Sequence, residues 1–120
     1  MNDKYLMLSD KSKDNINEYM PNDDALLKLA NYFQNFSDST RLKIISCLSL
    51  SDMCVNDMSM ILKINQTTIS HQLKILKAQG IVEYKRDGKI LTYSLKNKTV
   101  NDVMLNAVNW ISWHKRLWVL

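Results

Sequence analysis

At Gly80 the apolar period of the chain changes from three-and-four to two, and no other feature restricts its fold as much. Before that glycine, Ile69, Leu73 and Leu76 fall on one side of a helix. After it, Ile81-Val82-Glu83-Tyr84-Lys85 and Ile90-Leu91-Thr92-Tyr93-Ser94-Leu95 are strand-like runs, separated by Arg86-Asp87-Gly88-Lys89. Asp-Gly between two such runs is a strong hairpin signal. Asn65 is a good N-cap and Gly80 stands where a C′ glycine belongs, so the spacing predicts a helix over 66–79 leading directly into a hairpin. An Asp-Gly turn would set Arg86 opposite Lys89, Tyr84 opposite Leu91 and Val82 opposite Tyr93. Two cations would then meet at the tip, which is unfavourable unless an anion lies close by.

Upstream, the pattern is helical from Asp23. Leu26, Leu29, Phe33 and Phe36 make one stripe, interrupted by the N-cap chemistry of Ser37-Asp38-Ser39-Thr40. A second helix with Leu42, Ile45 and Leu48 inward ends near Leu50-Ser51. A third, short one runs over about 53–62, burying Val55, Met58 and Ile61 or Leu62. From about Lys98 the chain is helical again, with Val100, Met104, Ala107 and Ile111 on one stripe and Val103, Trp110 and Leu117 on another. A terminal helix apolar on two sides cannot satisfy both against one small core, so its spare face, with the first helix, is the expected dimer surface. Residues 1–21, polar and mixed in charge with Pro21 as punctuation, read as a flexible arm with room for a short helix, and 22–120 as one domain.

Two glycines and one proline in 120 residues favour helices with short connections over a many-stranded sandwich. The expected fold class is therefore mainly α with a small β-hairpin, a dimeric winged helix-turn-helix in the order α-α-α-α-β-β-α. Two cysteines exclude a disulfide framework and suit a reducing compartment. The opening MNDKYLMLSDKSKDN holds no signal-peptide core, and no stretch approaches the roughly 18 apolar residues of a membrane span. A cytoplasmic protein with no membrane partner is expected. A net charge of +4 suits an anionic partner, although the abundance of Lys and Asn makes part of it background composition.

Rotation by about 100° per residue puts Thr67, His71, Lys74 and Ala78 opposite the apolar stripe of the fourth predicted helix, flanked by Thr68 and Ser70. An ordinary solvated face carries more Glu and Lys, so this face reads as chosen for contact. In a helix-turn-helix the second helix enters the major groove. Gln66, Thr67, Thr68, Ser70 and His71 can then bond bases or phosphates, Lys74 a phosphate, and Arg86 and Lys89 a phosphate or the minor groove. Double-stranded DNA is the expected partner. No Gly-rich phosphate loop, no metal-ligand spacing and no nucleophile with an evident base supports an enzyme, and no cofactor is expected. Two alternatives remain: a winged helix that binds protein, for which the outward face is too polar, and a non-specific DNA binder without an inducer.

Ser39-Thr40-Arg41-Leu42-Lys43-Ile44-Ile45, Met53-Cys54-Val55-Asn56-Asp57, Gln66-Thr67-Thr68-Ile69-Ser70-His71-Gln72-Leu73-Lys74-Ile75-Leu76, Gly80-Ile81-Val82, the wing Lys85-Arg86-Asp87-Gly88-Lys89 and Tyr93-Ser94-Leu95 together resemble the ArsR/SmtB family of winged-helix repressors, from about Asp24 to Trp110. The resemblance implies a homodimer gripping an operator, with repression relieved by an inducer. Many members hold zinc-type metals between paired C-terminal helices, but the matching positions here are Asn97, Thr99, Trp110 and Trp113, with His114 one residue out of place. Others use Cys-Val-Cys at the third helix together with arm cysteines. Here the motif reads Cys54-Val55-Asn56 and the arm has no cysteine, a poor set for soft metals that want two or three thiolates. Both family metal sites are therefore expected to be absent or degraded, and the inducer is left unknown. Cys54 reads either as a small residue at a helix start or as a remnant ligand or redox-sensitive thiol. Cys47 reads as a core residue or as its redox partner. The tryptophans Trp110, Trp113 and Trp118 read as packing, with an apolar or stacking ligand pocket as the alternative.

Overall fold

In the computed structural model, which describes residues 5–112, the order of elements is α1 (Asp10–Tyr19), α2 (Asp23–Gln34), α3 (Ser39–Leu50), α4 (Val55–Leu62), α5 (Gln66–Ala78), β1 (Val82–Asp87), β2 (Ile90–Leu95) and α6 (Lys98–Ser112). Contacts divide the chain into two units, one ending at Tyr32 and one beginning at Phe33. In the first, the Ser9 hydroxyl accepts from the Ser12 N–H at 3.1 Å and caps α1, a helix inside the arm that buries none of its residues. The Asn22 side chain accepts from the Ala25 N–H at 2.8 Å and starts α2. Leu26 is half-buried, whereas Leu29 remains 46% exposed.

In the second unit the core is Ile44, Ile45 and Leu48 of α3, Met58 of α4, Ile69, Leu73 and Leu76 of α5, Ile81 and Val82 at the entry to the hairpin, and Val100 and Met104 of α6. Each fully buried branched side chain contributes about 1.5–3 kcal/mol relative to exposure. α3 begins where short oxygens allow it: the Asp38 carboxylate accepts from the Arg41 N–H at 2.9 Å. α6 begins in the same way, with Asn97 Oδ1 accepting from the Val100 N–H at 3.2 Å. Further along α6, Ala107 and Trp110 are exposed. Trp113, His114, Leu117 and Trp118 lie outside the described residues.

Two sequence expectations are corrected. The third predicted helix starts at Val55, not Met53, because Met53 pairs with Tyr93 as an antiparallel bridge with N–H···O distances of 3.2 and 2.9 Å. A backbone satisfied by a strand partner has no need of a helical one. The hairpin turns at Gly88-Lys89 rather than Asp87-Gly88, so Asp87 faces Ile90, Arg86 faces Leu91, Tyr84 faces Tyr93 and Val82 faces Leu95. Only Gly88 takes a left-handed conformation there (φ +62°), as the first central residue of a type II′ turn does. A turn centred on Asp87-Gly88 in the type I′ form would force Asp87 into that region as well. Arg86 and Lys89 consequently do not face one another.

Candidate nucleic-acid interface

The helix-turn-helix is built from α4, a three-residue turn and α5. Lys63 ends α4 in the left-handed region (φ 56°, ψ 43°), and the Ile64 N–H donates to the Ser59 carbonyl at 3.3 Å. Asn65 then caps α5, its Oδ1 accepting from the Thr68 N–H at 2.8 Å. At the far end the Ile81 N–H donates to the Leu76 carbonyl (2.9 Å) and the Gly80 N–H to the Lys77 carbonyl (3.0 Å), with Gly80 at φ +74°. That pair of bonds is a Schellman motif, and the buried Ile81 supplies its apolar contact. α5 is thus held at both ends by residues whose spacing announces them. Asn65→Ala is expected to cost about 1 kcal/mol of stability, read as a lower midpoint in urea.

Between those caps the two faces separate cleanly. Ile69, Leu73 and Leu76 are all 0% exposed, while Thr67, Thr68, Ser70, His71, Lys74 and Ala78 all face outward. Gln66 is exposed too, but its side chain is engaged: Nε2 donates to Asn56 Oδ1 of α4 at 3.0 Å. The sequence reading missed that contact because Asn56 stands ten positions upstream on another helix.

The hairpin is fastened to this helix. Lys77 Nζ sits 4.5 Å from the centroid of the Tyr84 ring, and Tyr84 packs on Tyr93 at 5.5 Å between centroids. Burial, followed by the neighbouring Tyr84, raises the Tyr93 pKa, so the Tyr93 hydroxyl keeps its proton at physiological pH. Arg86 shares the strand face of Val82 and Tyr84, Lys85 lies on the other face, and Lys89 stands in the turn, all three exposed. Cations therefore occupy both faces and the tip of the wing. Lys85 adds to the candidates Arg86 and Lys89, its place next to Arg86 on the strand being the signal for it.

The cysteines are both free thiols and half-buried. Burial pushes the Cys47 thiol up in pKa, which keeps it protonated and less reactive. Cys54 is the N-cap of α4 without a side-chain capping bond and lines an open groove with Val55, Asn56, Asp57, Lys89, Ile90 and Leu91. Among the described residues no three His, Cys, Asp or Glu side chains gather as a metal site. Asn56 spends its carbonyl oxygen on Gln66, and Asn97 spends its own on capping α6.

A polar-faced recognition helix preceded by a packed partner helix and followed by a cationic hairpin defines a winged helix-turn-helix of the DNA-binding type. Residues 38–84 match the model of the bacterial regulatory protein, arsR family. The chain is 38% identical over 82 residues to a cadmium resistance transcriptional regulatory protein CadC homolog of Staphylococcus aureus, covering 68% of each chain. It is 35% identical over 77 residues to a transcriptional repressor SmtB homolog of Synechocystis, a match covering 64% of this chain and 58% of that protein. The homodimeric winged helix-turn-helix DNA-binding domain of a possible ArsR-family regulator from Mycobacterium bovis superposes with a TM-score of 0.67 at 24% identity, covering 81% of this chain and 94% of that one. The chain belongs to the ArsR family of transcriptional regulators.

Proposed function

We propose that the chain is a cytoplasmic, homodimeric repressor that reads a near-palindromic operator with α5 and grips the flanking backbone with the β1–β2 wing. The observation that carries this reading is the division of α5 into a fully buried apolar face and an outward face of Thr67, Thr68, Ser70, His71 and Lys74. Small hydroxyls and an imidazole near a helix N-terminus are the groups that bond base edges, and lysine at the next turn suits a phosphate. Dimerisation is supported by apolar side chains exposed on α2 and α6, with Leu29 46% and Leu105 50% exposed. A two-fold dimer would set its recognition helices about 34 Å apart, one turn of DNA.

Release would be triggered by an inducer other than a family metal, since Asn56 and Asn97 are committed to hydrogen bonds within the fold. Cys54 and Cys47 are the remaining candidates for a thiol-directed signal.

Fluorescence anisotropy of a labelled fragment from upstream of the gene, against a scrambled duplex across a salt series, tests the reading. Preference for the upstream fragment by about 10³-fold or more supports it. Equal weak binding to both duplexes would reduce the protein to a non-specific binder. No binding at low salt would favour a protein-binding winged helix. Lys89→Ala is expected to weaken both duplexes alike and to lower the slope of log K against log salt by about 1 per DNA-binding wing. A sequence-dependent loss would contradict a phosphate role for Lys89.

A further inference from the structure

Asn35 is the one buried polar side chain in the core of the described residues, and it is 0% exposed. It stands in the connection between α2 and α3, and its amide faces two ways. Nδ2 donates to Gln79 Oε1 at 2.8 Å, across 44 positions of sequence. Oδ1 accepts from Arg41 Nη1 at 3.1 Å. Arg41 is fixed in turn by Asp38, whose carboxylate caps α3 and approaches Arg41 Nε at 3.5 Å. A polar chain Asp38–Arg41–Asn35–Gln79 thus runs from the N-cap of α3 to the C-cap of α5.

Gln79 is rigidly part of the end of α5, because its own N–H bonds to the Ile75 and Lys77 carbonyls. The same end carries the Gly80 turn and the Lys77–Tyr84 contact that lead into the wing. Apolar packing through Ile69, Leu73 and Leu76 holds α5 against the core but is non-directional and tolerates small rotations and slides. Hydrogen bonds to a buried amide are directional, and leaving either group unmet is unfavourable, so they select one orientation. Base readout requires placement within about 0.5 Å and 10–20°. We infer that Asn35 is a positioning residue for DNA reading: by tying Gln79 to the Arg41 corner it sets the orientation of the recognition helix and the root of the wing. The inference rests on the DNA-binding reading and adds the device that aims it.

The test compares Gln79→Ala, Asn35→Ala, the double variant and Gln79→Glu with the natural chain. Preference for the upstream fragment over the scrambled duplex, thermal unfolding and amide hydrogen exchange are measured for each. Gln79 is exposed, so truncating it removes no core packing, and Gln79→Ala is expected to fold even where Asn35→Ala does not. The expected result is a loss of at least tenfold in preference for Gln79→Ala and Asn35→Ala, with the double variant no worse than the worse single one. Gln79→Glu retains an acceptor for Asn35 and should keep the preference, while its added charge weakens both duplexes together. Undiminished preference in Gln79→Ala, or losses that multiply in the double variant, would overturn the inference. If the natural chain itself shows no preference, the DNA reading has failed instead. The positioning is then decided by exchange at the Gly80 and Ile81 amides: faster in Gln79→Ala but not in Gln79→Glu supports it, and no change refutes it.

Discussion

Leu73→Ala is expected to lower folding stability by about 2–5 kcal/mol, enough to reduce the thermal midpoint by roughly 10 °C or more. Leu73 is fully buried on the inner face of α5, between Ile69 and Leu76, which are buried to the same degree. Truncation removes three carbons from the fully buried face of α5, a helix that packs against α3 and α4, and in a close-packed interior a cavity term adds to the lost transfer energy. The neighbouring position supplies the control. Lys74 is exposed, and Lys74→Ala should change stability by no more than about 0.5 kcal/mol while weakening DNA binding. Both variants should be melted at one protomer concentration, because the midpoint of a dimer depends on it. A Leu73→Ala midpoint within a degree or two of the natural chain would mean that α5 is not packed as described.

The second large effect concerns sequence preference. His71→Ala and Thr67→Ala should each reduce the ratio of operator to scrambled binding by about 1–3 kcal/mol, or roughly 5- to 150-fold, with little change in unfolding. The two residues are four apart, hence one above the other on the outward face, in the N-terminal half of the helix that reaches base edges in this class of fold. Gln66 should contribute less to readout than its position at the first turn suggests, because its amide is already bonded to Asn56. Competition titrations with the two duplexes measure the ratio directly. An equal loss on both duplexes for His71→Ala would make that residue a phosphate contact rather than a reader.

The recognition helix was legible because its determinants are local. The Asn65 cap bonds three residues along, the Gly80 terminus closes on residues within its last turns, and the three-and-four spacing of Ile69, Leu73 and Leu76 needs only helical geometry to become a face. The outward set from Thr67 to Lys74 follows as its complement. The wing was legible as a pair of strands for the same reason, since alternation and a glycine turn act over a few residues.

Its register was not, because Asp87-Gly88 and Gly88-Lys89 are overlapping turn sites in one stretch of chain. The choice between them was made by what the strands meet. The observed register sets Tyr84 opposite Tyr93 with their rings in tilted contact and gives Val82 a partner in Leu95, while Met53 takes the free edge of Tyr93. Met53 looked like helix because its strand partner lies 40 positions away. Asn35 carries no local signal for the same reason, and only the folded chain brings Gln79 and Arg41 to it. The sequence by itself determined the elements, their caps and the polar outward face of α5, all through interactions spanning a turn or two. Tertiary structure alone decided the strand register, the anchoring of the wing and the polar chain behind α5, because each depends on groups far apart in sequence whose meeting no local pattern encodes.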